Sequence, residues 1–63
     1  MLKLVITRPT VPLADGDGIT LEERGPELAV FATDGPTLWA WLTIVLEMPE
    51  DAASELAGEA DWV

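Results

Sequence analysis

The chain has 63 residues, twelve acids against three bases and a net charge of −9, a size that fits a single domain spanning 1–63. It has no cysteine and no histidine, which excludes a disulfide staple, a Cys/His zinc site and a histidine-driven nucleophilic triad. Its apolar fraction of 49% separates it from disordered acidic chains, and its charge argues against direct binding of nucleic acid or an anionic membrane, both polyanions.

Leu2 to Arg8 alternates, with Leu2, Leu4 and Ile6 on one side and Lys3, Val5 and Thr7 on the other, so a half-buried strand is expected over 2–8. Pro9 and Pro12 end it, because proline has no N–H for a ladder, and residues 9–18 read as a loop. Within that loop Asp15-Gly16-Asp17-Gly18 resembles part of a calcium loop. With Gly18 at the sixth position, the first falls on Leu13 and the twelfth on Arg24, so two ligands that an EF-hand requires are missing. Turn chemistry accounts for these residues equally well.

Ile19 to Arg24 reads as a second strand with Ile19 and Leu21 inward. Gly25-Pro26 is a turn, Glu27 to Thr33 a third strand, and Asp34-Gly35-Pro36 another turn. Thr37 to Glu47 reads two ways. As a helix it has Thr33 or Asp34 as N-cap and Pro36 in its first turn. As a strand it alternates Ala40, Leu42, Ile44 and Leu46 against Trp39, Trp41, Thr43 and Val45. Tryptophan, threonine, isoleucine and valine favour a strand, and a single surface helix is not apolar all round; a strand is the expectation here. Pro49 then leads into residues 50–60, where Ala52, Ala53, Leu56, Ala57 and Ala60 recur at helical spacing behind acids in the first turn.

These elements predict an α+β domain: a small antiparallel sheet of about four strands (2–8, 19–24, 27–33, 37–47) arranged as a meander, with one C-terminal helix (50–60). One helix covers one face of a sheet. Trp39, Trp41, Val45, Phe31 and Val5 then fall on the other, to be covered either by the proline-rich loop or by a second copy in a homodimer. The longest apolar run, Leu38 to Leu46 broken only by Thr43, is far short of the roughly 20 residues needed to cross a bilayer. The N-terminus lacks the apolar stretch of a signal peptide, so a cytoplasmic location is expected.

The chain also lacks tyrosine, asparagine and glutamine, and its one serine, Ser54, has no histidine to activate it. Paired carboxylates do acid–base work only where one is desolvated in a concave site, for which a domain this small seldom has room. A non-enzyme without cofactor or metal is expected.

The acids carry the information. Glu27, Asp34, Glu47, Glu50, Asp51, Glu55, Glu59 and Asp61 follow Gly25 with no lysine or arginine among them. On a helix over 50–60, Asp51, Glu55 and Glu59 fall at i, i+4 and i+8 and form one stripe, although like charges at that spacing destabilise a helix. Glu59 and Asp61 also meet the negative end of the helix dipole. Glu47 and Glu50 flank the start of the stripe, and Glu22, Glu23 and Glu27 form a second group around the Gly25-Pro26 turn. Carboxylates one helical turn apart have a spacing comparable to phosphates along a nucleic-acid strand, so the stripe suits a groove lined with lysine and arginine.

In length, in the acids from Glu47 to Asp61, in the Glu22/Glu23/Glu27 group and in its lack of catalytic residues, the chain resembles the small acidic DNA-mimic inhibitors made by bacteriophages and mobile elements, with anti-CRISPR proteins the nearest type. The resemblance implies a stoichiometric inhibitor whose partner is a basic nucleic-acid-binding protein or complex, such as a CRISPR effector. The partner-binding residues would be Glu47, Glu50, Asp51, Glu55, Glu59, Asp61, Glu22, Glu23 and Glu27. The competing expectation is a small assembly or regulatory module, such as an antitoxin or a phage structural protein, that binds through the apolar tryptophan-rich face while the acids keep it soluble.

Overall fold

The most apolar strand lies inside the sheet and the most charged one at its edge. In a computed structural model, which describes residues 1–10, 13 and 15–63, strands β1 (Leu2–Thr7), β2 (Ile19–Arg24), β3 (Glu27–Ala32) and β4 (Asp61–Trp62) form one antiparallel sheet in the order β2-β3-β1-β4. Two helices, α1 (Gly35–Ile44) and α2 (Glu50–Glu59), complete an α+β domain. The three long strands match their sequence patterns within a residue. β2 and β3 form a hairpin closed by Arg24 and Glu27. Gly25 at φ 61° followed by Pro26 is the pattern of a type II′ turn, whose twist suits a two-residue hairpin.

The expected meander is corrected: β1 pairs with β3, not β2, in the register Leu2↔Ala32 to Thr7↔Glu27. This order sets two apolar strands side by side and leaves Glu22, Glu23 and Arg24 at an edge where water reaches them. The inward residues Leu2, Leu4, Ile19, Leu28, Val30 and Ala32 join Leu38, Trp41, Leu42 and Ala53 in one core. Both helices therefore cover the same face, and among the described residues the other face, with Lys3, Val5, Thr20 and Phe31, has no helix over it.

The second correction concerns residues 37–47, which are not a strand. They belong largely to α1, and the fourth strand is the two-residue β4 instead. Asp34 caps the helix, its Oδ1 accepting the Thr37 N–H at 2.8 Å. Pro36 sits in the first turn, where its missing N–H costs nothing. The Thr43 hydroxyl donates to the Trp39 and Ala40 carbonyls, both at 3.1 Å, so a residue that favours strands is accommodated within the helix. The run is apolar on nearly every side, and α1 packs on the sheet and on α2 at once, leaving Ile44 exposed. Burial at Leu38, Trp41 and Leu42 has the helical period, not the strand period.

At the end of α1, Glu47 adopts the left-handed conformation at φ 53°, and the Met48 N–H donates back to the Leu42 carbonyl at 3.2 Å. The chain reverses there and enters α2 after Pro49. Gly18, at φ 79°, also has no room for a side chain: a Cβ would lie 2.9 Å from Thr33 Oγ1. Among the described residues no helix is long and apolar enough to cross a membrane.

Candidate functional site

Helix α2 is held by one face. Ala53 is fully buried, with Ala52, Leu56, Ala57 and Ala60 half-buried around it. Asp51 and Glu55 each lie two residues from Ala53, about 200° around the helix, so they project away from the core. Glu59 continues the same row. All three are exposed, each about 6 Å further along the axis than the last. Glu47, Glu50 and Asp61 are exposed as well, before and after the stripe.

The two arginines are held elsewhere, whereas Lys3 lies across the sheet from Asp61. Arg8 pairs with Glu23 at 2.9 Å and Arg24 with Glu22 at 3.0 Å. The Lys3 ammonium lies 5.9 Å from the centre of the Phe31 ring, on the open face of the sheet. Glu22 and Glu23 are neighbours on a strand and point to opposite faces. Glu27 faces Arg24 across the hairpin. The structure thus separates the nine sequence-predicted partner residues into two sets. Glu22, Glu23 and Glu27 surround the arginines at the hairpin end and do not form a single acidic face. Glu47, Glu50, Asp51, Glu55, Glu59 and Asp61 lie in and around α2, and no salt bridge among the described residues reaches them.

Other acids have structural work. Asp34 is the α1 cap, and hydrogen bonds from Thr37, side chain first and then backbone N–H, hold its carboxyl below the usual range against a smaller opposing effect of desolvation. Asp15, in the loop that resembles a calcium site, accepts the Leu21 N–H through Oδ1 at 3.3 Å. Among the described residues no three acids gather into a group suited to a metal ion.

The tryptophan face drawn from the strand pattern is absent. Trp41 is 5% exposed and belongs to the core; its indole N–H meets no acceptor among the described residues. Trp39 is half-buried against the same core, and Val45 likewise. Trp62, in β4, is the exposed tryptophan, at 67%. Loop cover of the tryptophans by the proline-rich segment falls in part on residues 11, 12 and 14, outside the described residues; Leu13 does pack against the core.

One apolar feature has no counterpart in the sequence reading. A groove of about 660 Å³ runs beside the second half of β1, lined by Val5, Ile6, Leu46, Met48 and Leu56 among others. A neighbouring hollow of about 480 Å³ continues past Lys3 to Glu59 and Asp61. No protein family matches this chain, and neither does any curated protein or solved structure.

Proposed function

We propose that this protein is a stoichiometric inhibitor that presents an acidic helix in place of nucleic acid and occupies the basic site of a nucleic-acid-binding protein, in the manner of an anti-CRISPR. The observation that carries this reading is the segregation of charge. Asp51, Glu55 and Glu59 form an exposed row on α2, flanked by Glu47, Glu50 and Asp61, while both arginines are committed to Glu22 and Glu23 at the hairpin end. A row of like charges at i, i+4 spacing works against its own helix, and a cationic groove removes that repulsion on binding. The chemistry required of the partner is a line of lysines and arginines with the reach of two or three phosphates.

The test is inhibition of target cleavage by a CRISPR effector ribonucleoprotein, with association measured in parallel. Converting Asp51, Glu55 and Glu59 together to glutamine should weaken association at least about tenfold, and conversion to lysine should abolish it. Association by the parent should also fall steeply with added salt. Equal inhibition by the parent and the glutamine variant would remove the stripe from the mechanism.

A further inference from the structure

An antiparallel strand points the backbone groups of alternate residues to alternate edges. Here the parity is set at both ends of β1. Met1 and Val63 exchange hydrogen bonds of 3.2 and 2.8 Å, whereas the Arg8 N–H donates to the Pro26 carbonyl at 2.9 Å on the opposite side. Met1, Lys3, Val5 and Thr7 therefore address the β4 side, and Leu2, Leu4, Ile6 and Arg8 address β3. But β4 pairs only with Leu2 and Lys3. Val5 and Thr7 thus direct two N–H and two C=O groups to an edge that no described strand covers, and Val5 is 45% exposed there.

The other edge of the sheet is guarded. On β2 the outward N–H groups of Ile19 and Leu21 are taken by the Gly16 carbonyl at 3.0 Å and by Asp15 Oδ1 at 3.3 Å, and charged Glu23 follows. Such capping is how native sheets prevent strand addition. Among the described residues the β1 edge carries no such cap, and it adjoins the apolar groove formed with Leu46, Met48 and Leu56.

We propose that this edge receives an extended segment of a partner protein as an added strand beside Val5–Thr7, apolar at alternate positions and bearing lysine or arginine between them. The backbone groups call for a strand, and the groove takes its alternate side chains. The open stretch Leu4–Thr7 is about 13 Å long, enough for a segment of about four residues. The charge of the occupant follows from the surroundings. Glu59 and Asp61 outnumber Lys3 in the hollow at one end, and Arg8 at the other is neutralised by Glu23. A second copy would bring a further −9 to the same place and be repelled. The proposal rests on the inhibitor reading for the charge of the occupant and is independent of it for the edge.

The experiment is amide exchange and chemical-shift mapping by NMR on the full chain with three synthetic probes: an alternating lysine–valine hexapeptide, its twin N-methylated at every residue, and a glutamate–valine counterpart. The lysine–valine peptide should slow exchange at Val5 and Thr7 at least about tenfold, the N-methylated twin should bind at least about tenfold more weakly, and the glutamate peptide should not bind. Equal binding of the N-methylated twin, with shifts confined to Asp51, Glu55 and Glu59, overturns the edge and spares the acidic-surface reading. Equal binding of the glutamate peptide with Val5 and Thr7 protected keeps the edge but overturns the basic occupant, and counts against the acidic-surface reading. Protection of Val5 and Thr7 in a concentration-dependent dimer without peptide assigns the edge to a second copy and overturns the proposal, as does failure of every probe to bind.

Discussion

Replacing Glu55 by lysine should stabilise the free protein. Glu55 stands in the middle of the stripe, four residues from Asp51 and four from Glu59, and all three are exposed on α2. Each like-charged pair at this spacing costs about 0.2–0.5 kcal/mol, and each opposite pair contributes about as much. Glu55→Gln removes two repulsions, for a gain of about 0.4–1 kcal/mol. Glu55→Lys also creates two attractions, of which Asp51 with lysine has the favourable orientation and lysine with Glu59 the weaker one. We expect about 1 kcal/mol for lysine and about half of that for glutamine, since the three residues have similar helix propensities. In a domain this small, 1 kcal/mol raises Tm by about 4–8 °C. Thermal melts followed by circular dichroism at about 0.01 M salt, where the Debye length is about 30 Å, should show the gain, and melts at about 1 M, where it is about 3 Å, should lose most of it. A lysine variant that melts no higher than the parent at low salt would refute the claim that α2 carries its acids at a cost. A gain that survives high salt undiminished would show that its origin is not Coulombic.

Leu42 is fully buried in α1, so Leu42→Ala should cost about 2–5 kcal/mol against a total stability of about 3–9 kcal/mol for a chain of this length. Urea titration should show the midpoint reduced by about half or the cooperative transition lost. Asp34→Ala removes the α1 cap and should lower Tm, whereas Asp34→Asn keeps a capping side chain and should lower it less. Because the folded-state pKa of Asp34 is depressed, its contribution is fully present above the unfolded value of about 3.9 and is lost as pH falls through the lower folded value. In melts against pH, the asparagine variant should lack that component of the acid-side decline. Glu47 sits at φ 53°, where glycine is at ease and an L-residue is not. Glu47→Gly should raise stability by about 0.5–1 kcal/mol after the entropic cost of glycine, measurable by the same denaturant titration.

Much of this protein is legible residue by residue. Alternation in Leu2–Thr7, the Gly25-Pro26 and Asp34-Gly35-Pro36 turns, and the alanine–leucine face of α2 are short-range patterns, and each can be read from neighbouring residues alone. The stripe Asp51-Glu55-Glu59 follows from the helix alone, because turn spacing is a property of the backbone. The segment from Thr37 to Glu47 was different. Apolar on every side, it satisfies a strand and a helix alike, and the contacts decided it: with the sheet on one side and α2 on another, helical geometry buries Leu38, Trp41 and Leu42 together and leaves Asp34 free to cap. Strand order was likewise beyond any local pattern, since β1 can neighbour either partner of the hairpin until burial favours the apolar one. The division of the acids into an arginine-matched hairpin group and an unmatched helix group depends on which residues meet across that sheet. So does the open half of β1, because only the folded chain shows that β4 stops at Lys3.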